Sequence, residues 1–439
     1  MQRKTLIIAI IIVIIVIVGI FVWFFTLSPS AGENGEGEPR SFFGFLPFGG
    51  GEGDRRPILP EDIVGDISEE EVRVGARAEL KQLTAITVPI SGAIATTTRS
   101  GLSVRYIERE TGNVYDVSPD GARRERVTNT TVPAVREAFF NKNGTALLLR
   151  YLNDNDVIRT FAARVTLPGE KIDAKSLEVS AGGERDAEEK AAAPQVGDVS
   201  GELVGGFLDD DISFVAPSPD NTEIFYVSPL GSGIIGTTAT FLNENRDQMF
   251  DSTFIEWLPQ WPKDDTIALT TKASAFAEGF LYFLDSDGGA LRKVLGEVFG
   301  LTTLTNPSAE RVAFSASAEG SFDLYIFDIA KRQSEKLSVT TLPEKCVWSK
   351  INTTILYCGI PSTLPKGPYP DMWYQGLLSF SDTLWRIDTE TSAVKLLAVP
   401  QTIARENIDV TNPFLDASET YLFFTNKTDS TFWSLKIEP

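Results

Sequence analysis

The sequence predicts an all-β chain, a seven-bladed β-propeller with six or eight blades as the neighbouring counts, preceded by one transmembrane helix. Three observations carry that reading. Beyond residue 70, apolar residues come in short runs of about four to eight, broken by Asp, Asn, Gly, Ser and Pro, which is the signature of strands and turns. A turn flanked by strands returns at intervals close to the 40–45 residues of one four-stranded blade. A strand-like run at 74–84 has no unit of its own, while the last unit ends one strand short.

In chain order, residues 1–5 form a short N-terminus carrying Arg3 and Lys4. Leu6 to Leu27 is an unbroken apolar run with only Gly19 and Thr26 as mild interruptions. At about 1.5 Å per residue it reaches roughly 33 Å, enough to cross a bilayer core. Trp23 lies where an interfacial aromatic is favoured, and the Arg-Lys pair places the N-terminus in the cytoplasm. A cleaved signal peptide is the competing reading. The run is too long for one, and Ser28-Pro29-Ser30 is a poor cleavage match. The expectation is a single-pass signal-anchor with everything after residue 28 outside the cell membrane.

Residues 28–70, rich in Gly, Glu, Pro and Ser, read as a flexible linker, because such a composition cannot bury enough apolar surface to offset chain entropy. Within it, Ser41 to Phe48 holds four phenylalanines. These are expected to tuck against the domain, with a docking motif as the alternative.

The propeller is expected over 71–439. Its repeating turns are Phe140 to Gly144, Ala216 to Asn221, Trp257-Leu258-Pro259 with Trp261 to Asp265 behind, Asn306 to Glu310, Trp348 to Asn352, and Asn412-Pro413 leading to Ser418. Taking positions 140, 217, 258, 306, 348 and 413, the intervals are 77, 41, 48, 42 and 65. The long intervals carry insertions at about 169–201 and 360–376; Glu184 to Ala193 is charged and Ala-rich without an apolar face, so it reads as a mobile insertion. Leu281 to Asp285, Leu324 to Asp328 and Leu384 to Asp388 are apolar strands ending in acidic turns, each followed by a more polar strand. An earlier unit fits 85–117, with Val104 to Glu108 and Thr111-Gly112 in matching places. The last unit ends with Thr431 to Ile437, and pairing 74–84 into it would close the ring and remove two exposed edges.

The Ser218-Pro219-Asp220-Asn221 turn and the Leu-Tyr-x-x-Asp strands resemble the repeat of TolB-like, WD40-like bacterial propellers. Thr341 to Ser349, Tyr369 to Gly376 and Asp429 to Leu435 are also similar to an uncharacterised family of membrane-anchored propellers from small-genome candidate-phylum bacteria. The resemblance implies the fold and brings no activity with it.

Composition removes many chemistries. There is no histidine, so a Ser-His-Asp triad, a Cys-His dyad and His-ligated metals are excluded. Two cysteines cannot build a Cys₄ site, and a net charge of −20 argues against nucleic acid. Asp285 to Gly289 mimics the start of a calcium loop, yet its fifth and twelfth positions are Gly289 and Gly296, so a hairpin turn is expected. Asp209 to Asp211 and Asn153 to Asp156 read as turns too. No cofactor, metal or catalytic residue is expected.

Cys346 and Cys358 flank a hairpin turning near Lys350 to Thr353, where facing residues carry numbers summing to about 704. The two sulfurs should oppose each other within disulfide reach, in a compartment that permits oxidation. Pro361 to Phe380 adds Tyr369, Asp371, Trp373 and Tyr374 between two strands of the sixth blade. These four are the candidate binding residues, since loops on a propeller face are where binding is built. The alternative is that Trp373 and Tyr374 cap the blade's own core.

The expected function is a non-catalytic protein- or polymer-binding scaffold in the cell envelope, engaging an envelope protein or surface polymer. The alternative is a carboxylate-dependent hydrolase or lyase acting on glycans or cell-wall polymers, which needs two carboxylates about 5–10 Å apart in a cleft. Sequence leaves the oligomeric state open.

Overall fold

The structure is a computed structural model that describes residues 77–437 apart from 85–87, 99–100, 154–155, 167–200 and 209–210. The chain divides into two compact units, Met1–Arg56 and Pro57–Pro439, and the described residues belong to the second. The expected membrane helix (6–27), the linker (28–70) and the charged stretch at 184–193 lie outside the described residues. Among the described residues no helix is long and apolar enough to cross a membrane.

Seven four-stranded antiparallel sheets follow one another along the chain, and they make a seven-bladed β-propeller. Strand β1 (Leu80–Gln82) comes first, then blade 1 with β2 (Ile90–Thr98), β3 (Gly101–Glu108), β4 (Val114–Val117) and β5 (Arg124–Arg126). Blade 2 holds β6 (Glu137–Phe140), β7 (Ala146–Leu152), β8 (Ile158–Val165) and β9 (Leu203–Phe207). Blade 3 holds β10 (Phe214–Pro217), β11 (Glu223–Leu230), β12 (Gly233–Thr240) and β13 (Asp247–Ser252). Blade 4 holds β14 (Trp257–Lys263), β15 (Thr266–Thr271), β16 (Glu278–Asp285) and β17 (Arg292–Phe299). Blade 5 holds β18 (Thr302–Thr305), β19 (Arg311–Ala318), β20 (Ser321–Asp328) and β21 (Gln333–Lys336). Blade 6 holds β22 (Cys346–Trp348), β23 (Ile355–Pro361), β24 (Asp382–Asp388) and β25 (Val394–Ala398). Blade 7 holds β26 (Val410–Leu415), β27 (Tyr421–Asn426) and β28 (Phe432–Lys436), with β1 as its outer strand.

Burial follows position in the blade. β15 and β23 are buried at every residue, because neighbouring blades stack on both faces, whereas β21 and β5 at the rim are exposed throughout. That explains why second strands read as continuous apolar runs and fourth strands as polar ones. Where turns occur, short polar side chains hold them. Asn306 Oδ1 accepts from the backbone N–H of Glu310 and Arg311, and Ser218 and Asp220 both accept from the N–H of Thr222.

Three details differ from the sequence reading, the first being that Asn412-Pro413 lies inside β26 and the turn falls at Asp416 to Glu419. Trp257-Leu258-Pro259 lies inside β14, and the actual turn falls at Asp264-Asp265, with Lys263 facing Thr266. Two prolines made the strand look like a turn. The first blade runs from Ile90 to Arg126, and Val104 to Glu108 sits in its second strand instead of its third. Its acidic turn with Thr111-Gly112 imitates the outer turns of other blades, and β5, three exposed residues, gives no apolar signal. Asp285 to Gly289 is a hairpin turn, closed by Gly288 N–H to the Asp285 carbonyl.

A candidate binding face

In a four-strand meander, the first-to-second and third-to-fourth turns leave one end of the sheet, while the second-to-third hairpin and the link to the next blade leave the other. The propeller therefore has a turn face and a connecting face. On the turn face, the Lys350 ammonium of blade 6 reaches the Pro219 carbonyl of blade 3 at 2.7 Å, across the ring, and burial pulls its pKa below the ordinary value. The insertion of blade 6 joins β23 to β24, so it belongs to the connecting face.

The structure places the four predicted residues in different roles. Tyr369 is fully buried and packs with Phe322, Leu342, Trp373 and Phe380 in a small core of their own. Its carbonyl accepts from Ser317 Oγ in blade 5. Asp371 opens a single helical turn, α1 (Asp371–Tyr374), and reaches blade 4, accepting from Ser274 Oγ at 2.9 Å and Ala275 N–H at 2.7 Å. Trp373 is buried, with its indole N–H donating to both Asp409 oxygens at 3.1 and 3.0 Å. Tyr374 shows about a third of its surface while its hydroxyl, enclosed, donates to Glu344. Burial, with the Glu344 charge beside it, raises the Tyr374 pKa well above its ordinary value, and burial likewise raises Glu344.

Beneath the insertion lies a charge cluster with no exposure at all. Lys345, which follows Glu344 in a 3₁₀ turn, meets Asp382 Oδ2 at 2.6 Å and also Asp409. The ammonium sits 5.3 Å from the Trp373 ring centre and 5.0 Å from that of Phe380. Asp409 further accepts from the Phe380 N–H at 3.1 Å, and Asp382 from the Val410 N–H at 2.7 Å. One cation thus serves two carboxylates and pins the insertion to blades 6 and 7. Asp382 Oδ1 has no hydrogen-bond partner, and burial, opposed by Lys345 and reinforced by Asp409, pushes the Asp382 pKa from 3.8 up to about 6.

The connecting face offers solvent charged side chains, Glu256, Lys272, Glu278 and Glu319 among them, together with a set of large apolar ones. Seven of the eight exposed large hydrophobic side chains among the described residues emerge on it, each between 37% and 76% exposed. Leu230 ends the second strand of blade 3, and Phe254 and Ile255 form the link to blade 4. Phe276 tips the hairpin of blade 4, Phe299 begins the link to blade 5, and Tyr374 and Leu377 come from the insertion. The eighth, Ile351, lies in a first-to-second turn on the opposite face.

Backbone ties join these tips. The blade 3 hairpin abuts the next link so closely that a Cβ on Gly233 would meet the Ser252 carbonyl at 2.4 Å. Lys272 N–H donates to the Glu256 carbonyl, Gly300 N–H to that of Ser274, and Leu377 N–H to that of Met372. Asp371, holding Ala275 beside Phe276, is the fastener between blades 4 and 6. Of the predicted residues, Tyr374 is exposed, Asp371 is half-buried, and Tyr369 and Trp373 are buried. The sequence reading missed the other six apolar tips, whose one visible signal is a large apolar residue at a turn position, where polar residues are the rule.

The disulfide expectation holds. Cys346 faces Cys358 in the β22–β23 register, and the sulfurs are bonded. Their Cα atoms stand 4.1 Å apart, the close, non-hydrogen-bonded kind of antiparallel pair.

No protein-family model matches this chain, and no curated protein matches it. Solved structures similar to it include an oligogalacturonate lyase from Vibrio parahaemolyticus, at 10% identity and a TM-score of 0.49, covering 82% of this chain and 93% of that one. The β-propeller domain of the Trilobed protease from Pyrococcus furiosus is similar at 12% identity and a TM-score of 0.45, covering 80% and 96%. TolB from Acinetobacter baumannii is similar at 9% identity and a TM-score of 0.38, covering 80% and 64%. At such identities no substrate or partner passes to this chain, and its architecture rests on its own seven sheets.

Proposed function

We propose that this chain is a membrane-anchored, extracytoplasmic β-propeller that works as a non-catalytic binding scaffold in the cell envelope, engaging an envelope protein or surface polymer through its connecting face. The observation that carries the reading is the gathering of seven exposed apolar side chains on that one face, since contiguous apolar patches on soluble domains mark interaction sites. The Cys346–Cys358 bond favours an oxidising compartment, and the 6–27 run supplies the anchor. β1 and β28 meet as fourth and third strands of blade 7, so residues 77 and 437 both lie on the turn face.

The carboxylate-enzyme reading gains nothing from the Asp382–Asp409 pair, which is fully buried and shares Lys345. A test must leave the insertion in place, because deleting 361–376 would take Tyr369 and Trp373 out of the core. The informative variant is Phe276→Ser with Leu377→Ser, both at exposed tips. A crosslinking pull-down of the full chain from its native envelope should recover a discrete partner, and the double variant should lose it. Undiminished recovery with the variant would show that docking occurs elsewhere.

A further inference from the structure

We propose that Arg109 and Arg136 form an anion site on the connecting face, a seat for one carboxylate or phosphate group of a surface polymer. This rests on the binding reading above and names the chemistry of the ligand. The two residues come from segments stitched together. Arg109 opens the second-to-third hairpin of blade 1, and Arg136 ends the link into blade 2. Val135 N–H donates to the Arg109 carbonyl and Val132 N–H to that of Thr111, each at 2.9 Å, while Arg136 N–H donates to the Arg150 carbonyl at 2.8 Å. The bases of both side chains are thus fixed, which lowers the ordering cost of binding.

Charge points to the ligand. Arg109 is half-buried, its Nε is enclosed without a hydrogen-bond partner, and Arg136 beside it is exposed. Among the described residues neither guanidinium has an ion pair. The acids nearest in sequence do not supply one. Glu108 pairs with Arg124 at 2.5 Å, Glu137 pairs with Arg150, and the exposed Glu110 pairs with neither arginine. Burial, and then the Arg136 charge, pull the Arg109 pKa below its ordinary value, with no carboxylate acting against them. Two like charges held side by side, one of them partly desolvated, are relieved by an oxyanion, which forked guanidinium groups take through parallel N–H donors. The sector around them is also positive in an acidic molecule. From Ile90 to Val165, β2 to β8, eleven basic side chains stand against eight acidic ones, whereas the whole chain carries −20. The local field therefore draws an anion to this side of the ring.

The experiment keeps the full chain in its own envelope membranes and treats it with phenylglyoxal, which modifies accessible, unpaired arginines, reading each arginine by peptide mass spectrometry. The probes are inorganic phosphate and acetate, compared with chloride at equal ionic strength. At about ten times its dissociation constant, a bound anion should slow modification of Arg136 about tenfold. Arg332, exposed between β20 and β21 of blade 5, should react at an unchanged rate. Protection by phosphate alone or by acetate alone assigns the group the site prefers. Arg109→Gln should abolish the protection of Arg136. Since Arg109 is half-buried, the exposed Arg136→Gln serves as the second variant: the protecting anion should raise the thermal midpoint of the unaltered chain and not that of the variant. No slowing with either probe overturns the site, and equal slowing at Arg136 and Arg332, an adventitious ion only, overturns it too. Partner recovery that depends on Phe276 and Leu377 without anion protection sinks the anion site and keeps the binding face. Protection with undiminished recovery by the double variant keeps the anion site and sinks the apolar docking.

Discussion

At Lys345 the balance of charge is uneven, one ammonium against two carboxylates with no water-exposed surface among them. Removing one partner from such a group leaves an uncompensated buried charge and typically costs about 3–5 kcal/mol. Asp382 is the member that relieves the imbalance. Its carboxyl is raised to about 6 in the folded chain against an ordinary 3.8, so the folded state binds a proton that the unfolded state has released. Its favourable contribution is complete below about pH 4 and is lost as pH rises through about 6. Denaturant midpoints measured from pH 4 to pH 7 should therefore carry a falling component in that window, and Asp382→Asn should flatten it. An unchanged slope in the variant would place the proton elsewhere. Lys427, 5.0 Å from the Trp373 ring centre, has its own pKa lowered by burial. It does not supply the missing charge through a direct bond to Asp382.

Between elements, the same insertion works as a strap. It leaves blade 6, hydrogen-bonds blade 5 through Gly367 to Gly320 and through Tyr369 to Ser317, and ends on blade 4 at Ser274 and Ala275. Asp371→Ala removes both final contacts, each a hydrogen bond to an ionised group and worth about 1.5–3 kcal/mol locally. The expected outcome is faster amide exchange at Ala275 and Phe276, with blade cores such as β23 unchanged, and a weaker grip on whatever occupies the patch. Equal protection in the variant would mean that the blade 4 hairpin holds its shape unaided. This strap also shows where sequence reading stops. The β22–β23 register was legible because a short hairpin fixes which residues face each other, so Cys346 and Cys358 could be paired by counting. Whether Trp373 points outward or inward depends on Asp409, 36 residues away, and no local pattern encodes that. The exposed tips were harder still, since Leu230 and Phe276 sit in hairpins whose strands give the same alternation as any buried hairpin.

For the whole ring, the decisive joint is the one between its two ends. β1 pairs Leu80 with Leu435, Lys81 with Ser434 and Gln82 with Trp433, so a strand met before the first blade completes the last. The sequence made this visible as a surplus strand at one end and a deficit at the other. The joint is short, only three paired residues, yet it is extended by Leu83 N–H to the Phe432 carbonyl at 2.8 Å and Lys436 N–H to that of Glu79 at 3.1 Å. It is also packed: Leu80 lies in the core that blade 7 shares with blade 6, and Leu83 in the one it shares with blade 1. Leucine-to-alanine changes at buried sites cost about 2–5 kcal/mol, and here the loss falls on a contact that closes the ring. Leu80→Ala and Leu83→Ala should therefore each lower the denaturant midpoint by that order and speed unfolding, as an internal substitution such as Leu422→Ala in the same blade also should. The distinguishing step is proteolysis. The closure variants should become cleavable first in blades 1 and 7, whereas Leu422→Ala should not favour blade 1. If Leu80→Ala leaves both midpoint and cleavage pattern unchanged, β1 decorates a ring that the blade-to-blade cores already hold shut.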